Sequence, residues 1–505
     1  MYSNIKSFGV SGIGGFEVSV EAYISGGLFQ FEMVGLPDAA VKEARERVRA
    51  SIKNNRLEFP AGHVTVNLAP ADKKKSGTAY DLPIFIAIAS AEGELKVRDD
   101  MAFIGELSLT GELRPVSGAL PMALCAGRCG ITDLFVPAEN AAEAAFAENI
   151  HVYGADNVSQ IIRHLRGEEY LEAVPASRPE KYEQPVPDFS EVKGQENVKR
   201  AFEIAAAGGH NMIMIGVPGS GKTMLARCLP GILPPLSFEE ALETTRIHSI
   251  SGKLPPNSGL MVLRPFCAPH HNASVASLIG GGQDAKPGEV SLAHNGVLFL
   301  DEIPEFTRNA LEALRQPLED GIVNVARVKK QAQYQSSFML VAAMNPCPCG
   351  FYGSSRKVCR CTPQEIRRYL DRISGPLLDR IDLQIEVDAV PVQEINSSAP
   401  AEPSAAVAKR VSMARMIQQE RYRGTGKHCN AQLNNEEVKQ YCMPDAEGIR
   451  LLNVAMETMN LSMRGYQRIL KVARTIADLD HTDLIGSAHI AEAIQYRELD
   501  QKYWR

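Results

Sequence analysis

The chain has 505 residues, too many for a single hydrophobic core, so several domains are expected. With 45% hydrophobic, 23% charged and 6% aromatic residues it sits near the soluble globular average, and no apolar run is long enough to cross a bilayer. A net charge of −6 excludes an overall basic footprint, so any contact with nucleic acid has to be local.

The N-terminal stretch MYSNIKSFGVSGIGGFEVSV lacks a basic segment followed by an apolar run and a small-residue cleavage site, and a cytoplasmic location is expected. Ten cysteines in a large chain of this kind favour free thiols or metal ligands over disulfides. Residues 1–173 alternate β-like runs (HVTVNLAP, MAFIGELSL) with a helical one (DAAVKEARERVRASIKNN), which reads as an α+β domain. Residues 174–188, rich in Pro and charge, read as a linker.

Residues 189–395 follow a different rhythm: a helix (ENVKRAFEIAAAGG), an apolar strand (NMIMIGV), a Gly-rich loop, a helix (KTMLARCLPGIL), then two more buried strands, GVLFLDE and FMLVAAMN. Continuous apolar strands alternating with helices predict an α/β core, a parallel sheet covered by helices on both faces. Gly216, Val217, Pro218, Gly219, Ser220, Gly221, Lys222 and Thr223 match GxxxxGK[ST] between strand and helix, the context that motif needs. Its glycines let backbone N–H groups turn toward phosphates, Lys222 reaches the β and γ phosphates, and Thr223 can ligate Mg²⁺.

The strand Val297–Leu300 runs into Asp301 and Glu302. Beside a phosphate loop, Asp301 is expected to hold Mg²⁺ through its water shell and Glu302 to orient or deprotonate the attacking water. The segment LEDGIVNVARVKKQAQYQSSF reads as a β-hairpin with Arg327, Lys329 and Lys330 at its tip. It precedes a third strand that ends in Asn345, a neutral polar group suited to sensing the γ-phosphate or the water. Cys347, Cys349, Cys359 and Cys361 form two C-x-C pairs in one turn-rich loop, a candidate structural zinc site, with four free thiols as the alternative. Residues 396–505 are helical, with periodic apolar positions in GIRLLNVAMETM and RILKVARTIADL, and read as a C-terminal lid.

The segments VGLPDAAVKEARERVRASIKN, NLAPADKKKSGTAYDLPI, DFSEVKGQ, GVPGSGKT, RPFCAPHH, GVLFLDEIPEF, AAMNPCPCG, SGPLLDRIDL and MRGYQRILKVARTIADL together resemble the magnesium-chelatase-like branch of the AAA+ ATPases, most closely the ComM/YifB family, over the whole chain. That resemblance implies ATP and Mg²⁺ as cofactors and a homo-oligomeric ring, usually of six, with each ATP between neighbours. By motif position it implies Arg380 as the finger reaching the next subunit's γ-phosphate and Arg464 as the second sensor, with Arg468 competing. It also implies an N-terminal domain like that of Lon protease. The turn Gly77–Asp81 offers no serine where the nucleophile belongs, Leu120 stands where its lysine is expected, and the domain reads as non-proteolytic.

For function the resemblance implies a DNA motor that migrates branched DNA in natural transformation and homologous recombination. A chelatase-type ATPase driving metal insertion is the alternative, and an ATP-dependent protease ranks below both. In a ring, the basic hairpin tip and the segment carrying Arg264, His270 and His271 are candidates for gripping DNA in the pore. The run Gly280-Gly281-Gly282 suggests a mobile pore loop.

Overall fold

The computed structural model describes residues 1–176, 186–282, 285–327, 330–354, 357–390 and 401–504; of residues 326, 327, 330 and 331 only the backbone is described. The N-terminal part is built on a seven-stranded mixed sheet in the order Gln30–Val34, His63–Ala69, Gly14–Ser25, Tyr2–Ser11, Met101–Phe103, Asp133–Pro137, His151–Ala155. Its antiparallel spine pairs Tyr2 with Tyr23 and Ser19 with Ala69. The helix Asp81–Ala91 is buried along nearly all its length and lies between this spine and the helix Ala39–Asn54. Asp38 starts the latter by accepting from the Val41 N–H at 2.9 Å.

The second sheet has five strands in the order Phe266–Cys267, Val297–Leu300, Met339–Met344, Met212–Gly216, Leu383–Val387, and every pairing is parallel. Alternate residues of one strand serve two cores. Met212 and Met214 face one, with Phe202, Val341 and Leu470, while Ile213 and Ile215 face the other, with Leu298, Leu300 and Ala342. Burial on both faces is why these strands carry unbroken apolar runs.

The C-terminal helices Ser404–Arg421, Ala446–Thr458, Met463–Leu479 and Ser487–Gln495 close over the first of these cores. A buried polar network ties them to the sheet. His210 joins Asp382 (3.1 Å) to Thr475 (2.8 Å), and Asn430 donates to Thr475 and Asp478, both at 2.9 Å. Arg421 and Arg474 both pair with Asp478.

Ile322–Arg327 and Lys330–Gln335 form the expected hairpin, its base anchored by buried Val323, Val325 and Tyr334, whose hydroxyl donates to the Ala285 carbonyl at 2.8 Å. Lys329 lies outside the described residues, as do the side chains of Arg327 and Lys330. The glycine run differs from its expected mobility: Gly280 and Gly281 are laddered with Pro287 and Lys286. Gly280 has φ +111°, and a Cβ there would stand 2.5 Å from the Lys286 carbonyl oxygen, so glycine is needed for close backbone approach.

The two sheets' modules meet where the helix Ala119–Arg128 packs on the helix Phe238–Ser251. Leu120, Phe146, Ala241 and Leu260 form a small apolar cluster there, and the Gly118 N–H donates to the Ser249 carbonyl at 3.0 Å.

Candidate nucleotide site

Gly216–Thr223 leaves the C-terminal edge of the central sheet and runs into the helix Lys222–Cys228. Gly219 and Gly221 take φ of +76° and +90°, which turns the backbone back on itself; Gly216 lies so close to the Leu383–Val387 strand that a Cβ would meet the Val387 carbonyl oxygen at 2.3 Å. The buried Lys222 ammonium lies under this loop. It donates to the Gly216 carbonyl at 2.7 Å, the Val217 carbonyl at 3.0 Å and Asn345 Oδ1 at 3.3 Å. Burial pulls its pKa below the usual lysine range, against the pull of Asp301 and Glu302.

Thr223 Oγ1 donates to Asp301 Oδ2 at 2.7 Å, and Asp301 Oδ1 accepts from the Glu302 N–H at 2.9 Å. Glu302 adopts φ +50°, a left-handed conformation uncommon for a non-glycine residue and one that turns the chain sharply at the strand end. The structure therefore brings two hydrogen-bonded pairs, Lys222 with Asn345 and Thr223 with Asp301, to the phosphate loop, with Glu302 following Asp301 at the strand end. These groups fit a magnesium nucleotide: a loop with open space where Gly219 and Gly221 lack a Cβ, one buried cation held only by neutral acceptors, and a hydroxyl beside a carboxylate.

Two features of this neighbourhood were not read from the sequence. His271 places Nδ1 3.4 Å from Glu302 Oε2, and its ring lies 4.1 Å from that of His270. Gln195 donates to the Ser220 carbonyl at 2.9 Å and the Asp388 carbonyl at 2.8 Å, bracing the phosphate loop from behind. The two histidines follow Phe266–Cys267, a strand too short for periodicity to reveal. Arg264, offered as a pore residue, is buried instead: it forks onto Glu240 at 2.9–3.2 Å and donates to the Pro234 and Asn295 carbonyls, so its charge is neutralised inside the fold.

Arg380 stands at the opposite end of the sheet. Its carbonyl accepts from Asn211 Nδ2 at 2.9 Å, just before the Met212–Gly216 strand begins, and its guanidinium is held by Glu319 and the Pro376 carbonyl. Arg464 keeps company with it, 3.7 Å from Asp379 and with its side chain 63% exposed. Arg468 is only 13% exposed and paired with Asp382 at 3.3 Å, a brace between lid and sheet.

Residues 188–395 match the family model described as magnesium chelatase, subunit ChlI; residues 20–140 match that of subunit ChlI of Mg-chelatase, and residues 401–497 that of the subunit ChlI C-terminal region. The chain is 44% identical over 493 residues to the uncharacterized protein YifB of Salmonella typhimurium, covering 97% of this chain and 96% of that one. It is also 44% identical over 490 residues to the competence protein ComM of Haemophilus influenzae, covering 95% and 94%. The chain belongs to the ComM/YifB family of magnesium-chelatase-like AAA+ proteins. Its likeness to Lon is partial: 24% identity to the Lon protease of Clostridium beijerinckii over 164 residues, 31% of this chain and 21% of that one. In that region Lys75 is buried with its ammonium on the Pro70 carbonyl, and Asp81 is gripped by Arg47 at 2.6 and 3.0 Å.

The four clustered cysteines converge. Their sulfurs all lie within 4.8 Å of one another, with Cys347 3.3 Å from Cys349 and 3.7 Å from Cys359, and Cys349 3.5 Å from Cys359. Backbone N–H groups of Arg360 and Phe351 lower the Cys349 thiol to about 6. Among the described residues no helix is long and apolar enough to cross a membrane.

Proposed function

We propose that this chain is a cytoplasmic ring ATPase that couples ATP hydrolysis to the movement of branched DNA during natural transformation and homologous recombination. The observation that carries the composite-ring reading is the separation of the arginines from the phosphate loop. From Asn211 to Gly216 the strand rises about 3.3 Å per residue, placing Arg380 roughly 16 Å from its own Lys222 site, beyond the reach of a side chain already engaged at Glu319. Arg380 and Arg464 then serve a neighbour's nucleotide, in a heterologous contact that closes into a hexameric ring.

ATP and Mg²⁺, when bound, supply the transferable phosphoryl group and its counter-charge. Lys222 exchanges its carbonyl and Asn345 partners for phosphate oxygens. Thr223 and Asp301 would hold the metal's shell, Asn345 would position the γ-phosphate or the water, and Glu302 would accept the water's proton. Arg380, with Arg464 beside it, stabilises charge on the γ-phosphate from the adjoining subunit.

The Haemophilus relative is named a competence protein, which favours the reading with DNA as the substrate, and to that substrate we assign the hairpin with Arg327, Lys329 and Lys330, together with His270 and His271. The family model's name favours a second reading, an ATPase that drives a partner in metal insertion. We divide the chain as 1–173, 174–188, 189–395 and 396–505, the first segment being a non-proteolytic Lon-like domain. We also assign a structural zinc ion to the four cysteines, on the spacing of their sulfurs. The deciding experiment measures ATP turnover with and without branched or single-stranded DNA and follows strand movement on three- and four-strand substrates. Stimulation with movement supports the motor; neither would defeat it.

A further inference from the structure

The cysteine loop does more than join two elements. It follows Asn345 directly and ends at the helix Pro363–Leu370, and among its described residues there is no strand or helix. Pro346 and Cys347 are buried at its start, but farther along little apolar surface is covered, Val358 being 88% exposed and Tyr352 38%. Yet its first turn is sharply set. Gly350 takes φ +82°, its N–H donates to the Cys347 carbonyl at 2.9 Å, and its Cα lies flat against the Pro218 ring. A Cβ at Gly350 would stand 2.6 Å from Pro218 Cγ and Cδ and 3.9 Å from Asn345 Cγ. One turn of this loop thus packs on the phosphate loop and faces the residue that shares Lys222.

A loop without a core of its own needs a crosslink to keep such a contact. Four sulfurs on a tetrahedral zinc, at about 2.3 Å from the metal, are separated by about 3.8 Å. Among Cys347, Cys349 and Cys359 the observed 3.3–3.7 Å lies near that value and far from the roughly 2.05 Å of a disulfide, and Cys361 keeps its sulfur within 4.8 Å of the other three. Backbone N–H groups of Phe351 and Arg360 also donate to Cys349, the outer-shell pattern that steadies a metal thiolate.

We infer that a soft divalent cation, zinc by its ligand set, bound by Cys347, Cys349, Cys359 and Cys361 clamps Gly350 onto Pro218 and fixes Asn345 beside Lys222, so that nucleotide affinity depends on metal occupancy. This rests on the zinc and ATP-site assignments above and adds that the metal positions the nucleotide site. On the far side the same loop reaches the C-terminal helix Leu499–Trp504: the rings of Tyr352 and Tyr503 are 6.3 Å apart, and Tyr503 adjoins Trp504, the single tryptophan of the chain. Trp504 emission therefore reports on the loop without any nucleotide.

The test uses the full chain. Metal content is measured by mass spectrometry, the affinity for a fluorescent ATP analogue by titration, and Trp504 emission before and after chelation. The expected results are one zinc per chain, and a fall in analogue affinity of about tenfold on chelation or in Cys359→Ser, with far-UV circular dichroism unchanged and zinc restoring binding. Gly350→Ala, which keeps all four thiols, should retain zinc and lose affinity to a similar degree. Zinc present but affinity unaltered by its removal and by Gly350→Ala would overturn the clamp while leaving the zinc and ATPase readings standing. A chain without zinc overturns both metal statements. If chelation unfolds the protein, Gly350→Ala decides alone: full affinity in that variant overturns the clamp. Failure of the zinc-loaded wild type to bind the analogue would instead count against the ATPase reading.

Discussion

Mixing two inactive variants tests the composite site most directly. Arg380→Ala removes a guanidinium whose backbone is anchored at Asn211, one strand length of roughly 16 Å from its own phosphate loop, and Lys222→Ala removes the ammonium under that loop. An arginine finger contributes about 10³- to 10⁵-fold in turnover, so each variant alone should be silent in a phosphate-release assay. In a ring each nucleotide sits between one loop and one neighbour's arginine. In an equal, randomly exchanged mixture a site is intact only when an Arg380→Ala subunit supplies the loop and a Lys222→Ala subunit the finger. The two halves meet in roughly a quarter of the interfaces, and about a quarter of wild-type turnover should return if sites fire independently. Subunit exchange is verified beforehand with two fluorescent labels. A mixture that exchanges freely but stays as silent as its parts would refute action across the interface, because an arginine serving its own subunit is never reunited with an intact loop.

Other outcomes follow from the same geometry. Glu302→Gln should retain ATP-analogue binding while turnover falls at least about a hundredfold; loss of binding would argue against a role as base. Arg464→Ala should lower turnover with little change in thermal unfolding. Arg468→Ala, by breaking the buried pair with Asp382, should destabilise by about 3–5 kcal/mol, and equal melting curves would remove the distinction between the two arginines. Burial works to raise the Asp382 carboxyl, but His210 and Arg468 outweigh it and hold it below the usual carboxylate range. Its contribution is therefore fully present above about pH 4 and is lost as pH falls toward the folded-state value. Acid unfolding of Asp382→Asn should show a weaker pH slope there than the wild type; identical slopes would contradict the assignment.

The parts of the site that were legible share one property: each is set by local chain geometry. Gly216–Thr223, the Asp301-Glu302 strand end and Asn345 all terminate parallel strands whose two buried faces write continuous apolar runs into the sequence. The hairpin was legible for a similar reason, its turn lying between two runs of strand-forming residues. Contacts between distant segments were not. His271 against Glu302 and Gly350 against Pro218 join residues far apart in the chain, and nothing in either partner's immediate neighbours announces the other. Arg264 misled because an exposed arginine and one forked onto a half-buried Glu240 look alike in a one-dimensional string. The glycine run misled because absence of a side chain signals either freedom or close contact.

The seam between the N-terminal sheet and the ATPase core fixes what the first can become. At Leu120, where a Lon-type enzyme would keep its lysine, the side chain is wholly buried with Phe146, Ala241 and Leu260, and the last two of these lie in the ATPase core. A lysine there would have to lose the apolar contacts of this cluster and bury its ammonium, with the Glu143 carboxylate, which accepts from the Leu120 N–H at 3.3 Å, as its nearest acceptor. These four apolar side chains act as a mounting plate, so the N-terminal sheet is carried on the same body that holds the phosphate loop.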